Sequence, residues 1–348
     1  MLIKRSLRLL LLTGCFLFSA QVAMGAPTPL RPAGNLPKIS NPAGRLNPAP
    51  VSRTLAVFEY QMIAQWGGNQ TGVNFNHPLG IDCDTANNFY VADSFNKRIV
   101  KVNHINSTFT ILGSGQKNIF NYPTDVKWGS IAFDTPDTLF AVDVVRNHIF
   151  RYDPYNYGWE RFEPQQDKHG TIYSAAIIPG LNLLVSGHSI VRKYDIQRNY
   201  VQWDITTKIS SPGPHLAVDK ANNLYITDPN GITKYDINGT KSQIFHAEDA
   251  GRFDDYGPAG IAIDPEGNIF VADTIKDRVL KLSSTGKLIT IITGSDTASP
   301  KNFNRPFGVA VNRDGLLFVS DTFNNRVMAF ENKMVAPVST TTTTLRTP

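Results

Sequence analysis

Cysteine is nearly absent from this 348-residue chain, which has only Cys15 and Cys83. A disulfide framework is therefore excluded as the source of stability, since Cys15 lies in a segment expected to be removed and Cys83 is then alone. Long apolar runs are missing too. The best of them, residues 9–20, follows Lys4, Arg5 and Arg8 too closely and is too short for a stable transmembrane helix. Acidic residues are absent from the first 54 positions, which carry Lys4, Arg5, Arg8, Arg31, Lys38, Arg45 and Arg53. The formal charge of +5 thus belongs to that segment, and the rest of the chain holds 27 basic against 29 acidic residues. Such a body exerts no global pull on phosphate backbones, so no nucleic-acid partner is expected. No segment shows a helical period, and no P-loop, nucleophile elbow, paired-cysteine metal motif or dinucleotide fingerprint occurs.

What is present falls into four parts. Residues 1–25 combine a basic start, a short apolar run and the small-x-small triplet Ala23-Met24-Gly25, the pattern of a secretory signal peptide. Leu12-Thr13-Gly14-Cys15 also resembles a lipobox, giving lipid anchoring at Cys15 as the second reading of the same segment. Residues 26–54 hold seven prolines and no hydrophobic period, and read as a linker. Residues 335–348 contain the run Thr340 to Thr344 and read as a disordered tail.

Between them, residues 55–334 repeat. The clearest copies run from Pro78 to Asp93, Pro258 to Asp273 and Pro306 to Asp321, and each aspartate is followed five residues later by an arginine, Arg98, Arg278 or Arg326. Weaker copies end at Asp143, Gly187 and Asp228, giving spacings of 50, 44, 41, 45 and 48 residues. Each copy reads as four short strands with Asn- or Gly-containing turns such as Asn87-Asn88 and Gly267-Asn268. Six such copies predict an all-β fold, a six-bladed β-propeller of four-stranded antiparallel blades. The last copy lacks a fourth strand, and Glu59 to Trp66 has the pattern of one. The expected closure is therefore an N-terminal strand completing the last blade.

These motifs, Pro-x-Gly-Ile/Val-Ala-Val-Asp, Gly-Asn-Ile-Phe-Val-Ala-Asp and Asp-x4-Arg, resemble those of the NHL-repeat propellers over about residues 58 to 332. The resemblance implies a fold rather than a function. The family includes the peptidyl-α-hydroxyglycine α-amidating lyase, two of whose histidine zinc ligands directly follow a blade-opening proline. Here those positions hold Leu79, Thr124, Ala259 and Phe307, while His215 after Pro214 falls one position late, in the column of Gly80, Gly260 and Gly308. No cofactor is expected, and a divalent metal in the central channel belongs to the alternative reading below.

The repeated pairs Asp93 with Arg98, Asp273 with Arg278 and Asp321 with Arg326 are expected to be structural ties, because a catalytic group is rarely needed in every blade. Binding candidates are polar residues in the connections that lead into the first strands: His77, Tyr122, Asp125, His169, His215, Asp254 and Arg305. Phe75, Tyr122, Phe253, Phe303 and Phe307 in or near the same connections suit either a ligand rim or packing between blades, with packing preferred. The reading is an exported scaffold, secreted or in the periplasm or cell envelope, monomeric, that binds a protein, peptide or glycan on its loop face. The alternative is a metal-dependent lyase or hydrolase with its site in the central channel.

Overall fold

The computed structural model describes residues 57–68, 72–113, 118–129, 138–162, 171–178, 182–187, 190–195, 200–206, 215–228, 231–246, 258–298 and 300–335. All lie in the second of the chain's two units, Thr54–Pro348. The segments read above as signal peptide and linker, and most of the tail, fall outside the described residues. Among those described, no helix is long and apolar enough to cross a membrane.

Runs rich in Val, Ile, Phe and Tyr form strands because branched and aromatic side chains pack well on a pleated surface. They assemble into six four-stranded antiparallel sheets arranged as a ring, a six-bladed β-propeller. Blade 1 is Pro78–Cys83, Asn88–Asp93, Arg98–Asn103 and Thr108–Leu112. Blade 2 is Pro123–Gly129, Thr138–Asp143, His148–Asp153 and Gly158–Phe162. Blade 3 is Ser174–Ile178, Asn182–Ser186, Ile190–Asp195 and Tyr200–Thr206. Blade 4 is Leu216–Val218, Leu224–Asp228, Gly231–Tyr235 and Lys241–His246. Blade 5 is Ile261–Ile263, Ile269–Asp273, Arg278–Leu282 and Leu288–Ile292. Blade 6 takes Pro306–Val311, Leu317–Asp321 and Arg326–Val335 from the end of the chain and its outer strand, Val57–Gly67, from the beginning.

The N-terminal strand thus closes the ring, with Val57 opposite Val335 and Gly67 opposite Arg326. Trp66 at its inner end packs its ring 4.8 Å from that of Phe89 in blade 1 and 6.4 Å from that of Phe318 in blade 6. The core is divided rather than central. Each pair of adjacent blades shares its own apolar cluster, with Phe89 and Phe318 between blades 1 and 6 and Leu184 and Leu216 between blades 3 and 4. Second strands such as Asn88–Asp93 are buried on both faces, which is why they read as unbroken apolar runs.

The turn between first and second strands repeats one device. Asp84 accepts the Asn88 N–H at 2.8 Å and the Tyr90 hydroxyl at 2.9 Å, and Asp219 does the same for Asn223 and Tyr225 at 2.9 and 3.0 Å. The turn needs a left-handed residue, supplied by Asn87 (φ 63°), Asn222 (φ 63°) and Gly267 (φ 87°). Cys83 is half-buried and free, and burial together with Asp82 and Asp84 pushes its thiol pKa well up, keeping it protonated and unreactive.

Candidate functional site

Strand pairing aligns one residue of every blade at the axis. Counting from the pairs Ile81 with Val91, Val126 with Ala141, Ala175 with Val185, Leu216 with Ile226, Ile261 with Val271 and Val309 with Val319, the preceding residues form one column. It reads Gly80, Asp125, Ser174, His215, Gly260, Gly308 around the ring. The glycines are required by close approach. A Cβ on Gly308 would lie 2.3 Å from the Leu79 carbonyl oxygen, one on Gly80 2.5 Å from the Asp125 Cα, and one on Gly260 2.7 Å from the Phe307 carbonyl oxygen. Blades 5, 6 and 1 therefore meet backbone to backbone, while blades 2, 3 and 4 supply side chains.

Those side chains are coupled. Asp125 Oδ2 accepts the Ser174 hydroxyl at 2.6 Å and the Ala175 N–H at 3.2 Å, and Ser174 Oγ accepts the Leu216 N–H at 3.3 Å. Ser174 is buried, and its hydroxyl links the Asp125 carboxylate of blade 2 to the backbone of blade 4. Lys127 Nζ lies 3.5 Å from Asp125 Oδ1, and Asp82 accepts the N–H groups of Cys83 and Trp128 at 2.9 and 2.8 Å. Burial raises the Asp82 pKa, with Lys127 opposing. Burial works against the Lys127 ammonium as well, but Asp125 and Asp82 outweigh it and hold its pKa above the ordinary value. His215 is buried, and desolvation pulls its pKa down to about 4, so the ring is neutral at pH 7. Its ring stands edge-on to Phe307 at 5.0 Å, and neither ring nitrogen has a hydrogen-bond partner among the described residues.

Here the channel narrows to a hollow of about 10 Å³, the size of one water. On one side lies a space of about 190 Å³ lined by strand residues including Asp82, Lys127 and Trp128. On the other a cavity of about 490 Å³ opens toward the connections that lead into the first strands. Its wall is Leu79, Tyr122, Thr124, Val144, Tyr173, Ala259, Thr274, Ile275, Arg305, Phe307, Thr322 and Phe323, with His215 where it meets the neck. An arc of rings crosses three blades beside it. Tyr122 lies 5.5 Å from Phe95, Phe95 4.3 Å from His77, His77 5.1 Å from Phe323, and the Arg305 guanidinium 5.2 Å from Phe323. Phe95 and Phe323 are about half exposed, at 52% and 48%.

Of the seven binding candidates, Tyr122, His215 and Arg305 line this cavity, Asp125 lies in the neck below it, and His77 belongs to the arc. His169 and Asp254 lie outside the described residues, as does Phe253. Phe75 and Phe303 are buried in the apolar clusters, whereas Phe307 faces the cavity. The repeated pairs form ion pairs: Arg98 Nε to Asp93 Oδ2 at 2.7 Å, Arg278 to Asp273 at 2.7 Å and Arg326 to Asp321 at 2.6 Å. Each aspartate of blades 1 and 6 also takes a backbone N–H from the preceding connection, Asn76 to Asp93 and Asn304 to Asp321, both at 2.7 Å. Among the described residues, no three His, Cys, Asp or Glu side chains converge closely enough to hold a metal ion, and Asp125 with His215 is the nearest approach to a donor set at the axis.

Sequence reasoning passed over three features. The residue after the repeat aspartate donates its hydroxyl to the opening proline of the next blade: Ser94 to Pro123 O at 2.6 Å, Thr274 to Pro306 O at 2.8 Å and Thr322 to Pro78 O at 2.7 Å. The residue after that is the exposed apolar group, Phe95 or Phe323. Lys127 and Asp82 sit on strands, where alternating polar residues read as solvent-facing. The dipeptides Asp-Ser and Asp-Thr in three repeats were a visible signal for the first.

No protein-family model matches the chain, and no curated protein matches it. Solved structures do. A protein of unknown function from Bacteroides thetaiotaomicron aligns with a TM-score of 0.60 at 15% identity, covering 80% of this chain and 77% of that one. An auxiliary nutrient binding protein from Bacteroides ovatus aligns at 0.58 and 13%, again covering 80% and 77%. A streptogramin B lyase aligns at 0.53 and 10%, covering 80% of this chain and 98% of that one. The likeness is one of fold. At these identities the reaction or ligand of a neighbour does not transfer, and function has to be argued from the site.

Proposed function

We propose that this protein is an exported, NHL-type propeller that acts as a monomeric binding scaffold, holding a peptide or glycan on the face where the aromatic arc and the cavity open. One observation carries the reading, the 490 Å³ cavity walled by Tyr122, Tyr173, Phe307 and Phe323. That volume lies within the range of ligand pockets, roughly 300–1,000 Å³. Rings around it offer flat apolar surface to a side chain or a sugar face, and the neutral His215 offers one donor and one acceptor to orient it. Half-exposed Phe95 and Phe323 extend the surface beyond the cavity, as a ligand larger than the cavity requires. The fold is shared with an auxiliary nutrient binding protein, but the case rests on this chain's own cavity. Export rests on the pattern of residues 1–25.

The test is a peptide and glycan array probed with wild type and with Val144→Trp. Val144 lines the cavity without making a polar bond, so an indole there fills the space and leaves the scaffold intact. Ligands held by wild type are expected to be lost from the variant. Ligands that the variant keeps unchanged would move binding away from the cavity.

A further inference from the structure

The charge around the cavity narrows the ligand class further. Among the described residues that line it, Arg305 is the one side chain with a full charge at neutral pH, and none is acidic. Arg305 differs from the other arginines of the repeats. Arg98, Arg278 and Arg326 are bonded to aspartates, whereas the Arg305 guanidinium lies over the face of Phe323 and has no carboxylate or other hydrogen-bond acceptor among the described residues. The nearby Asp277 accepts the backbone N–H of Arg305 on Oδ1, at 2.6 Å, and makes no ion pair with its guanidinium.

That bond holds Arg305 in a left-handed conformation, φ 50°, unusual for a residue with a side chain and more constrained still before a proline. His77, at the same place before Pro78, has φ 51° and gives its N–H to Asn325 Oδ1 at 2.8 Å. Both residues are thus aimed by a tie from the preceding blade. A guanidinium fixed by stacking keeps its N–H edge free, and that edge matches a carboxylate in two parallel hydrogen bonds.

We propose that the cavity takes an amphipathic carboxylate, its ring or branched apolar group seated against Leu79, Tyr122 and Phe307 and its carboxylate on Arg305. The inference rests on the cavity-binding reading above. His215, uncharged near pH 7 because it is buried, offers no competing positive charge to draw the anion away from the rim. The shared chemistry is found in a free organic acid and in the C-terminus of a peptide ending in an aromatic residue, and the test separates the two.

The experiment measures, by calorimetry on the whole chain, 3-phenylpropionate against 3-phenylpropanamide and acetyl-Gly-Gly-Phe acid against its C-terminal amide. The acids are expected to bind about tenfold more tightly than the amides, the size of effect given by a charge-assisted hydrogen bond. Arg305→Met should erase that difference without weakening amide binding, and Arg305→Lys should keep part of it. Binding of 3-phenylpropionate alone identifies a small organic acid, and tighter binding of the tripeptide acid identifies a peptide C-terminus. Acids and amides binding equally would overturn the anion subsite. If that equal binding disappears in Val144→Trp, the cavity reading stands without it. Failure of both acids to bind also overturns the subsite, while the array experiment judges the cavity independently.

Discussion

Blades 1, 5 and 6 differ from blades 2, 3 and 4 in what their equivalent positions touch. In the first group the axial residue is glycine, the repeat aspartate holds an arginine five residues on, and a hydroxyl ties each blade to the next proline. In the second group the axial residues are Asp125, Ser174 and His215. His148 pairs opposite Asp143 where the others have arginine, Gly187 stands in the aspartate column of blade 3, and Gly231 in the arginine column of blade 4. Regular motif therefore marks where the scaffold is bonded to itself. Departure from it marks where side chains are released toward the channel. At the neck the ring is half clamp and half polar side chains, while the wall of the cavity beside it draws on both groups of blades.

The largest way to break the comparison is to open the ring at its most regular place. Deleting residues 57–67 removes Trp66 from between Phe89 and Phe318 and takes Gln65 from Arg326, whose Nη1 donates to it at 3.1 Å. Loss of a buried tryptophan alone costs about 3–5 kcal/mol. The deletion, which also exposes the next strand's edge, should abolish cooperative unfolding in urea followed by circular dichroism. A cooperative transition of wild-type midpoint would show that the termini do not hold the ring. Next in size, Arg326→Met leaves a carboxylate buried without its ion partner, since both side chains are fully buried, and should cost about 3–5 kcal/mol. In the divergent half His148 takes that place, and the nearest arginine, Arg146, is 39% exposed, 4.0 Å from Asp143 and bonded to the Asn118 carbonyl at 2.6 Å, so Arg146→Met should cost about 1 kcal/mol or less. Equal losses in urea titrations would erase the distinction between the halves.

Acid separates the halves in another way. His215 has its folded pKa lowered to about 4 from 6.5, so between those values the unfolded chain binds a proton that the folded chain refuses. Stability from this group is whole above pH 6.5 and is lost as pH falls toward 4, by about 3 kcal/mol. Asp82, whose pKa is raised, acts in the opposite direction, so the whole-protein curve mixes the two. The difference between wild type and His215→Gln isolates the imidazole. That difference should shrink or change sign from pH 7 to pH 4 in thermal melts, and a difference independent of pH would mean that the ring is not held neutral by burial.

The same division explains how much was legible beforehand. The blade number, the strand borrowed from Glu59 to Trp66 and the position of His215 in the glycine column all follow from spacing along the chain, and spacing is a local property. The cavity is not local. Its wall draws Leu79, Val144, Tyr173 and Phe307 from different blades, and nothing in the neighbours of Val144 or Phe307 tells an apolar side chain facing the axis from one packed between sheets. Phe303 in the connection and Phe307 at the start of the strand it leads into, four residues apart, go opposite ways. The pairing of Lys127 with Asp125 was hidden for a similar reason, since both lie on one strand whose alternation suggests solvent until the neighbouring strands close around it.

The smallest effect concerns the hydroxyl ties between blades. Thr322 is buried and donates to the Pro78 carbonyl across the junction that joins the last blade to the first. Thr322→Val keeps the shape and leaves that carbonyl without its donor, at a cost of about 1–2 kcal/mol. Thr274→Val breaks the same bond to Pro306 where the threonine is half-buried, and water can replace the donor, so about 1 kcal/mol or less is expected. Blade 2 has Val144 at this position and no hydroxyl to lose, so Val144→Ala removes only apolar contact from a cavity wall. Both threonines also line the cavity, but their hydroxyls are bonded to backbone carbonyls, so the two isosteric variants should lower the thermal midpoint more than they change array binding, whereas substitutions at Val144 should alter binding before stability. Were all three to behave alike, the position after the aspartate would serve one purpose around the whole ring, and the split between clamp and site would have to be redrawn.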